Sequence, residues 1–334
     1  MSNLKTKMQN LAVISSTSVL MTLGINVSAT AAIVYDITDL GTLPDQLYTI
    51  PNDINDAGQV VGRTGGNGGF SPTRSFFWSQ ENRITDLGII PGAYLNYSAA
   101  EAINNSGQVV GNIGRLGLIK PNEVNIRAFV WSRETGVRDF GNLLNFFGNI
   151  NVNDINNAGQ VVGSKSAVNG AGRTFLWNPE TGVTEFGNFI PNETSNAPIA
   201  INNLGQTLVV AYSESGYYFN FLRSSDGSIT EINGLPNSDG TDLADINDVG
   251  QVVGISTYIG TGPNGEDLGT DDAFISFVRS SNGSIIAIDP IPGYEYTLAR
   301  GINNLGQVVG QSYSYVAQAP APAFFWSSKQ HRYT

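Results

Sequence analysis

The chain has 334 residues, with 17 Lys+Arg against 28 Asp+Glu, one histidine, no cysteine and 39 glycines, and only 13% charged beside 41% hydrophobic side chains. Without cysteine, disulfides, thiolate catalysis and cysteine-held metal clusters are excluded, and the lone His331 cannot supply a multi-histidine metal site. A net charge of −11 opposes phosphate backbones and anionic lipid, so nucleic acid is not an expected partner, while cations, glycans and proteins are.

From the N-terminus, Lys5 and Lys7 precede an apolar, Ser/Thr-dotted run from about Leu11 to Leu23, and Ala29-Thr30-Ala31 then offers a small-x-small cleavage pattern. Residues 1–31 therefore read as a signal peptide. A membrane anchor would need ~20 predominantly apolar residues, and Ser15, Ser16, Thr17 and Ser18 interrupt this run. The expectation is a secreted protein, not inserted in a membrane after cleavage, with a net charge of −13 and a core as its only staple.

Residues 32–334 are organised by a repeat. Ile54-Asn55-Asp56-Ala57-Gly58-Gln59 sets a frame that recurs at Ile103, Ile155, Ile201, Ile246 and Ile302, at intervals of 45 to 56 residues. A second block follows as Ser75-Phe76-Phe77-Trp78, Ala128-Phe129-Val130-Trp131, Thr174-Phe175-Leu176-Trp177 and Ala323-Phe324-Phe325-Trp326. Copies four and five blur it to Phe219-Asn220-Phe221-Leu222 and Phe274-Ile275-Ser276-Phe277, whose register is open. A third block closes each unit: Asp86-Leu87-Gly88, Asp139-Phe140-Gly141, Glu185-Phe186-Gly187, Glu231-Ile232-Asn233 and Ala287-Ile288-Asp289.

Each unit reads as four short strands, a to d, because β-branched and aromatic runs alternate with turn residues and no helical period is sustained. Asn55-Asp56-Ala57-Gly58 matches a type I turn between a and b, and all six copies keep its Asn and Gly. Gly136, Gly182, Gly227 and Gly283 mark hairpins between c and d. Four antiparallel strands in ~45–50 residues is the size of a propeller blade, so the expected fold is an all-β, six-bladed β-propeller in a single domain. The last copy lacks strand d, and Ile37-Thr38-Asp39-Leu40-Gly41 stands ahead of the first copy in the place of an orphan d strand. A strand at about 34–41 is thus expected to complete the blade of residues 298–327 and close the ring.

The three blocks together resemble the HAF-repeat family of extracellular repeat proteins, named for a His-Ala-Phe triplet, over residues 33–326. The triplet's His is absent here: Arg74, Arg127, Arg173 and Pro322 stand in its place. The resemblance implies secretion and repeat architecture, with no catalytic residues to carry over. Relatives often end in a sorting tail of a short motif, a hydrophobic helix and basic residues. His331-Arg332-Tyr333-Thr334 has none, which implies free secretion or a truncated reading frame.

Strand parity puts the a–b and c–d turns on one side of the disc and the b–c and d–a loops on the other. The second side holds the variable b–c loops at 63–73, 112–126, 164–172 and 255–271, and d–a loops rich in aromatics. Tyr48, Tyr94, Tyr97, Phe146, Phe147, Tyr294 and Tyr296 are the candidate ligand contacts there, for an extracellular glycan or protein; the competing reading is that they fill gaps between blades. The recurring tryptophans read as inter-blade core. Just before the recurring isoleucine, Asp53, Asp154 and Asp245 alternate with Ala102, Ala200 and Gly301. These aspartates are the candidate ligands of an axial Ca²⁺; alternatively each binds its own blade's backbone. The functional expectation is a monomeric, non-catalytic binding or scaffold module. A propeller-type glycoside hydrolase or lyase, recruiting these aspartates with Glu101 and Arg300, and a self-assembling surface protein are the alternatives.

Overall fold

The computed structural model describes residues 38–66, 73–88, 97–114, 126–144, 148–166, 171–262, 265, 267–314 and 322–328. Met1–Asp39 forms one unit and Leu40–Thr334 a second. The second consists of six antiparallel sheets in chain order, each strand paired to the next. Blade 1 is β1 (Tyr48–Ile54), β2 (Val60–Gly65), β3 (Arg74–Ser79) and β4 (Arg83–Asp86); blade 2 is β5 (Tyr97–Ile103), β6 (Val109–Gly114), β7 (Ile126–Ser132) and β8 (Gly136–Asp139), followed by the one-turn helix α1 (Phe140–Leu144). Blade 3 is β9 (Asn149–Ile155), β10 (Val161–Ser166), β11 (Arg173–Asn178) and β12 (Gly182–Glu185); blade 4 is β13 (Glu193–Ile201), β14 (Thr207–Ser213), β15 (Tyr218–Arg223) and β16 (Ile229–Glu231). Blade 5 is β17 (Gly240–Ile246), β18 (Val252–Thr261), β19 (Asp267–Arg279) and β20 (Ile285–Ile288). Blade 6 has three strands among the described residues, β21 (Tyr296–Ile302), β22 (Gln307–Tyr313) and β23 (Ala323–Ser327). The fold is an all-β, six-bladed propeller.

The repeat residues form this architecture for local reasons. Each a–b turn glycine has a positive φ, from 70° at Gly58 to 76° at Gly250, a region that a side chain would strain. Each turn Asn accepts two backbone N–H groups on its Oδ1: for Asn55 these are Ala57 and Gln59, at 3.1 and 3.0 Å. The apolar blocks form the inter-blade core. Leu87 packs with Phe129 of the next blade, and Phe140 with Phe175; Ile232 packs with Phe277, and Ile288 with Phe324. Trp78 and Trp326 are buried, and Trp131 lies 5.2 Å from Phe77 of the preceding blade, so the tryptophans are core.

Pairing settles the register that the sequence left open. Val209 faces Phe221 and Gly254 faces Phe277, as Gly62 faces Phe76. The second block in copies four and five is therefore Asn220-Phe221-Leu222-Arg223 and Ser276-Phe277-Val278-Arg279, shifted by one and two residues, and an arginine takes the tryptophan's position in both. The loop expected at 255–271 is instead largely strand: β18 and β19 run on as a long hairpin, because Ile255, Thr257, Tyr258 and Ile259 favour extended pairing.

Blade-to-blade contacts repeat five times. The turn Asn of each blade donates its Nδ2 to the backbone carbonyl of the next blade's turn Asn, from Asn55 to Asn104 through to Asn247 to Asn303, at 2.9–3.1 Å. The residue after it donates its backbone N–H to the Oδ1 of its counterpart one blade on, at 2.7–3.0 Å. Among the described residues neither ladder makes its sixth step, from Asn303 and Asn304 to Asn55 and Asp56. Val309 is 52% exposed, whereas Val61, Val110, Val162, Leu208 and Val253 at the same position are fully buried. Ile54 is 63% exposed, against 5–8% for the other five frame isoleucines. The segment expected to complete blade 6 lies outside the described residues through Ile37, and Leu40 and Gly41 are not in a strand.

Candidate functional site

The disc has a concavity on each face. On the a–b turn face, the six turns surround an axial funnel of about 530 Å³ lined by the frame isoleucines and by paired amides and carboxylates, Asn55-Asp56 through Asn303-Asn304. Sequence reasoning assigned these asparagines to turn geometry. That holds, yet in blades 1 to 5 the Nδ2 also reaches the next blade, which only the arrangement of the repeats around the funnel reveals.

Below the funnel the three aspartates act as staples. Asp53 accepts Ile54 N–H on one oxygen and Ile103 N–H of blade 2 on the other, both at 2.8 Å. Asp154 does the same for Ile155 and Ile201, and Asp245 for Ile246 and Ile302. Three carboxylates thus serve six isoleucine amides, and only every second blade needs one. This accounts for an acid at every second position; Gly301, between two of them, lies against the Asp245 carboxylate. Of the two readings of these positions, backbone binding is observed, and it extends to the following blade. Among the described residues no three ligating side chains form a group that could hold a metal.

The staples sit in an unfavourable place for charge. Burial pushes the Asp154 carboxyl up to about 7 despite its amide partners, with Asp53 and Asp245 adding like-charge repulsion. Burial likewise pushes Asp245 up to about 6, and raises Asp53. Glu101, taken at the sequence level as a possible catalytic partner, is raised by burial and accepts the side-chain amides of Asn52 and Asn112. Arg300 is exposed.

On the b–c/d–a face the predicted aromatics divide. Tyr296 is buried, with its ring 5.9 Å from Phe274 and 6.4 Å from Tyr313, so it is blade packing and not a contact surface. Tyr97 is half-buried, and burial raises its phenol, with Glu101 adding to the effect. Tyr294 is half-buried in the turn closed on Ile291. Tyr48 is exposed and lies over Gly65, where a Cβ would collide with its ring. Tyr94, Phe146 and Phe147 lie outside the described residues.

A further concavity of this face involves other residues. A cleft of about 540 Å³ lies at blade 4, between the start of β15, the end of β16 and the connection into β17. Tyr217, Tyr218 and Phe219 line one side, and Glu231, Asn233, Asn237 and Asp239 are among the polar groups of the other. Tyr217 is 70% exposed. The Tyr218 ring sits 6.3 Å from Tyr212; burial and a hydrogen bond to Asp242 hold its phenol above the ordinary range. The wall is pinned from behind: Asn220 Nδ2 donates to Thr241 O at 2.6 Å, Leu235 N–H to Ser256 Oγ at 2.8 Å, and Tyr258 OH to Pro236 O at 3.2 Å. The open register of the second block in copy four had hidden this group, since Phe219 takes the arginine position only once Phe221 is paired with Val209.

No family model matches the chain, and no curated protein matches it. Solved structures do. A prolyl endopeptidase aligns with 83% of this chain and 39% of its own, at 12% identity and a TM-score of 0.52. Virginiamycin B lyase from Staphylococcus aureus aligns over 84% and 81%, at 12% identity and a TM-score of 0.47. The SapL1 lectin in complex with α-methyl fucoside aligns over 85% and 95%, at 12% identity and a TM-score of 0.46. At such identities the likeness is one of fold.

Proposed function

We propose that this chain is an exported, non-catalytic binding module that engages an extracellular glycan or protein through the face carrying the b–c and d–a loops. The blade 4 cleft carries this reading: exposed aromatics on a hydrogen-bonded, preorganised wall are suited to stacking on a ligand, and little ordering entropy is lost on binding. The axial carboxylates, an alternative locus for acid–base chemistry, each accept a backbone amide on both oxygens, which favours binding over hydrolysis as the role of the protein. In this reading the N-terminal strand adds to β23 and draws blade 1 against blade 6. Leu40 supports it, packing beside Val60, Phe76 and Trp78 of blade 1 much as Leu87 packs on blade 2.

A glycan and matrix-protein array probed with the purified protein tests the proposal, with Tyr217→Ala as the discriminating variant. Binding lost in that variant is the expected result. Binding unchanged in it, or hydrolysis of an arrayed polysaccharide, would refute it, and light scattering that grows with concentration would favour a self-assembling surface protein instead.

A further inference from the structure

The blade 4 cleft differs from the same place in blades 1 to 3 in one exchange of side chains; blade 5 has Ile275 and Ala287 there and no charge. In blade 1, Arg74 two residues before the buried Phe76 forms an ion pair with Asp86, the strand-d residue that faces Phe76. Blade 2 repeats it with Arg127 and Asp139 around Phe129. In blade 3 both charges persist, Arg173 pairing with Glu193 and Glu185 with Lys165. Register places Phe219 and Glu231 at these two positions around Phe221 in blade 4. The acid stays, and its arginine has become an aromatic. Glu231 is exposed and has no ion-pair partner among the described residues. Arg223, the cation of β15, lies 4.2 Å over the Phe186 ring. The cleft lining contains Glu231 and Asp239 and no lysine or arginine.

From this exchange we infer that the blade 4 cleft binds an amine-bearing sugar chain, whose protonated amino group takes the place against Glu231 that the arginine guanidinium fills in blades 1 and 2. The inference rests on the binding role proposed above and names its ligand class. Phe219 and the exposed Tyr217 offer flat faces to sugar rings, Asn233 and Asn237 offer amides to hydroxyls, and the carboxylates select the cationic over the acetylated sugar. A volume of about 540 Å³ is in the range of small-ligand sites. A basic peptide would satisfy the charge too, and the titration includes one to separate the two.

The test is calorimetric titration with a β-linked glucosamine oligosaccharide, its N-acetylated form and an oligoarginine peptide. The glucosamine chain is expected to bind at least about tenfold tighter than the acetylated one, with an affinity that falls as salt is raised. Glu231→Gln should weaken it about tenfold. Phe219→Arg restores the blade 1 pair within the chain, so it should abolish binding while leaving the melting temperature unlowered. Equal binding of both sugars, lost in Tyr217→Ala, would overturn the charge selection and leave the binding role standing. Tighter binding of the peptide, or glucosamine binding that survives Phe219→Arg, would overturn the ligand assignment. Absence of any ligand on this face would remove the binding role together with the inference.

Discussion

The axial staples should make the propeller less stable as the solution becomes more alkaline. A buried carboxyl whose folded-state value is raised contributes stability that is fully present below its unfolded value and lost as pH rises through the folded one. For Asp154 that window runs from 3.8 to about 7, and for Asp245 from 3.8 to about 6. Three pH units correspond to about 4 kcal/mol at 1.36 kcal/mol each. The effective dielectric of a protein interior reduces this, so roughly 2 kcal/mol is expected for Asp154 and about 1 kcal/mol for Asp245. The lowered carboxyls of Asp226 and Asp248 act in the opposite sense, but only toward more acidic solution. Urea unfolding followed by tryptophan fluorescence between pH 4.5 and 8 should therefore show stability falling by about 2–3 kcal/mol. Asp154→Ala deprives Ile155 and Ile201 of an acceptor and should cost about 2–4 kcal/mol near pH 4.5, while removing most of the pH slope. Stability that is flat or rises over this range, or an unchanged slope in Asp154→Ala, would refute the reasoning.

Other consequences are as direct. Gly163→Ala should cost more than about 3 kcal/mol in thermal denaturation, because the new Cβ would overlap the Asn151 carbonyl and stand 2.7 Å from the Phe175 ring. Tyr296→Ala should cost about 3 kcal/mol and Tyr48→Ala under about 1 kcal/mol, since the first is core and the second is exposed. If blade 1 closes on blade 6, Asn304→Cys with Asp56→Cys in this cysteine-free chain should oxidise to an intramolecular disulfide as readily as Asn105→Cys with Asn157→Cys. Only intermolecular products on gel electrophoresis would count against closure.

The blade count, the turns and the side of the disc bearing variable loops were legible because each depends on residues close in sequence and repeated six times. Glycine at a positive-φ turn and an apolar residue after the strand-d acid need no knowledge of distant neighbours. The register of copies four and five stayed open for the same reason: their tryptophan had become Arg223 or Arg279, and local pattern had nothing else to anchor it. Tyr296 was misjudged as a contact because loop aromatics look alike until packing against Phe274 and Tyr313 is seen. The blade 4 cleft was missed because its signal is a substitution relative to blades 1 to 3, readable only once the register is known.

The amino-acid sequence by itself determined the all-β repeat, its period and the hairpin geometry within each blade, since these follow from backbone preferences and short-range hydrogen bonds. Which groups meet across blades was decided by tertiary structure alone. Asp53 and Ile103 are 50 residues apart, as are most of the partners that knit the propeller, and nothing local records that one carboxylate serves two blades. Phe219 and Glu231 acquire their meaning in the same way, from where the fold sets them and from the arginine that stands there in blades 1 and 2.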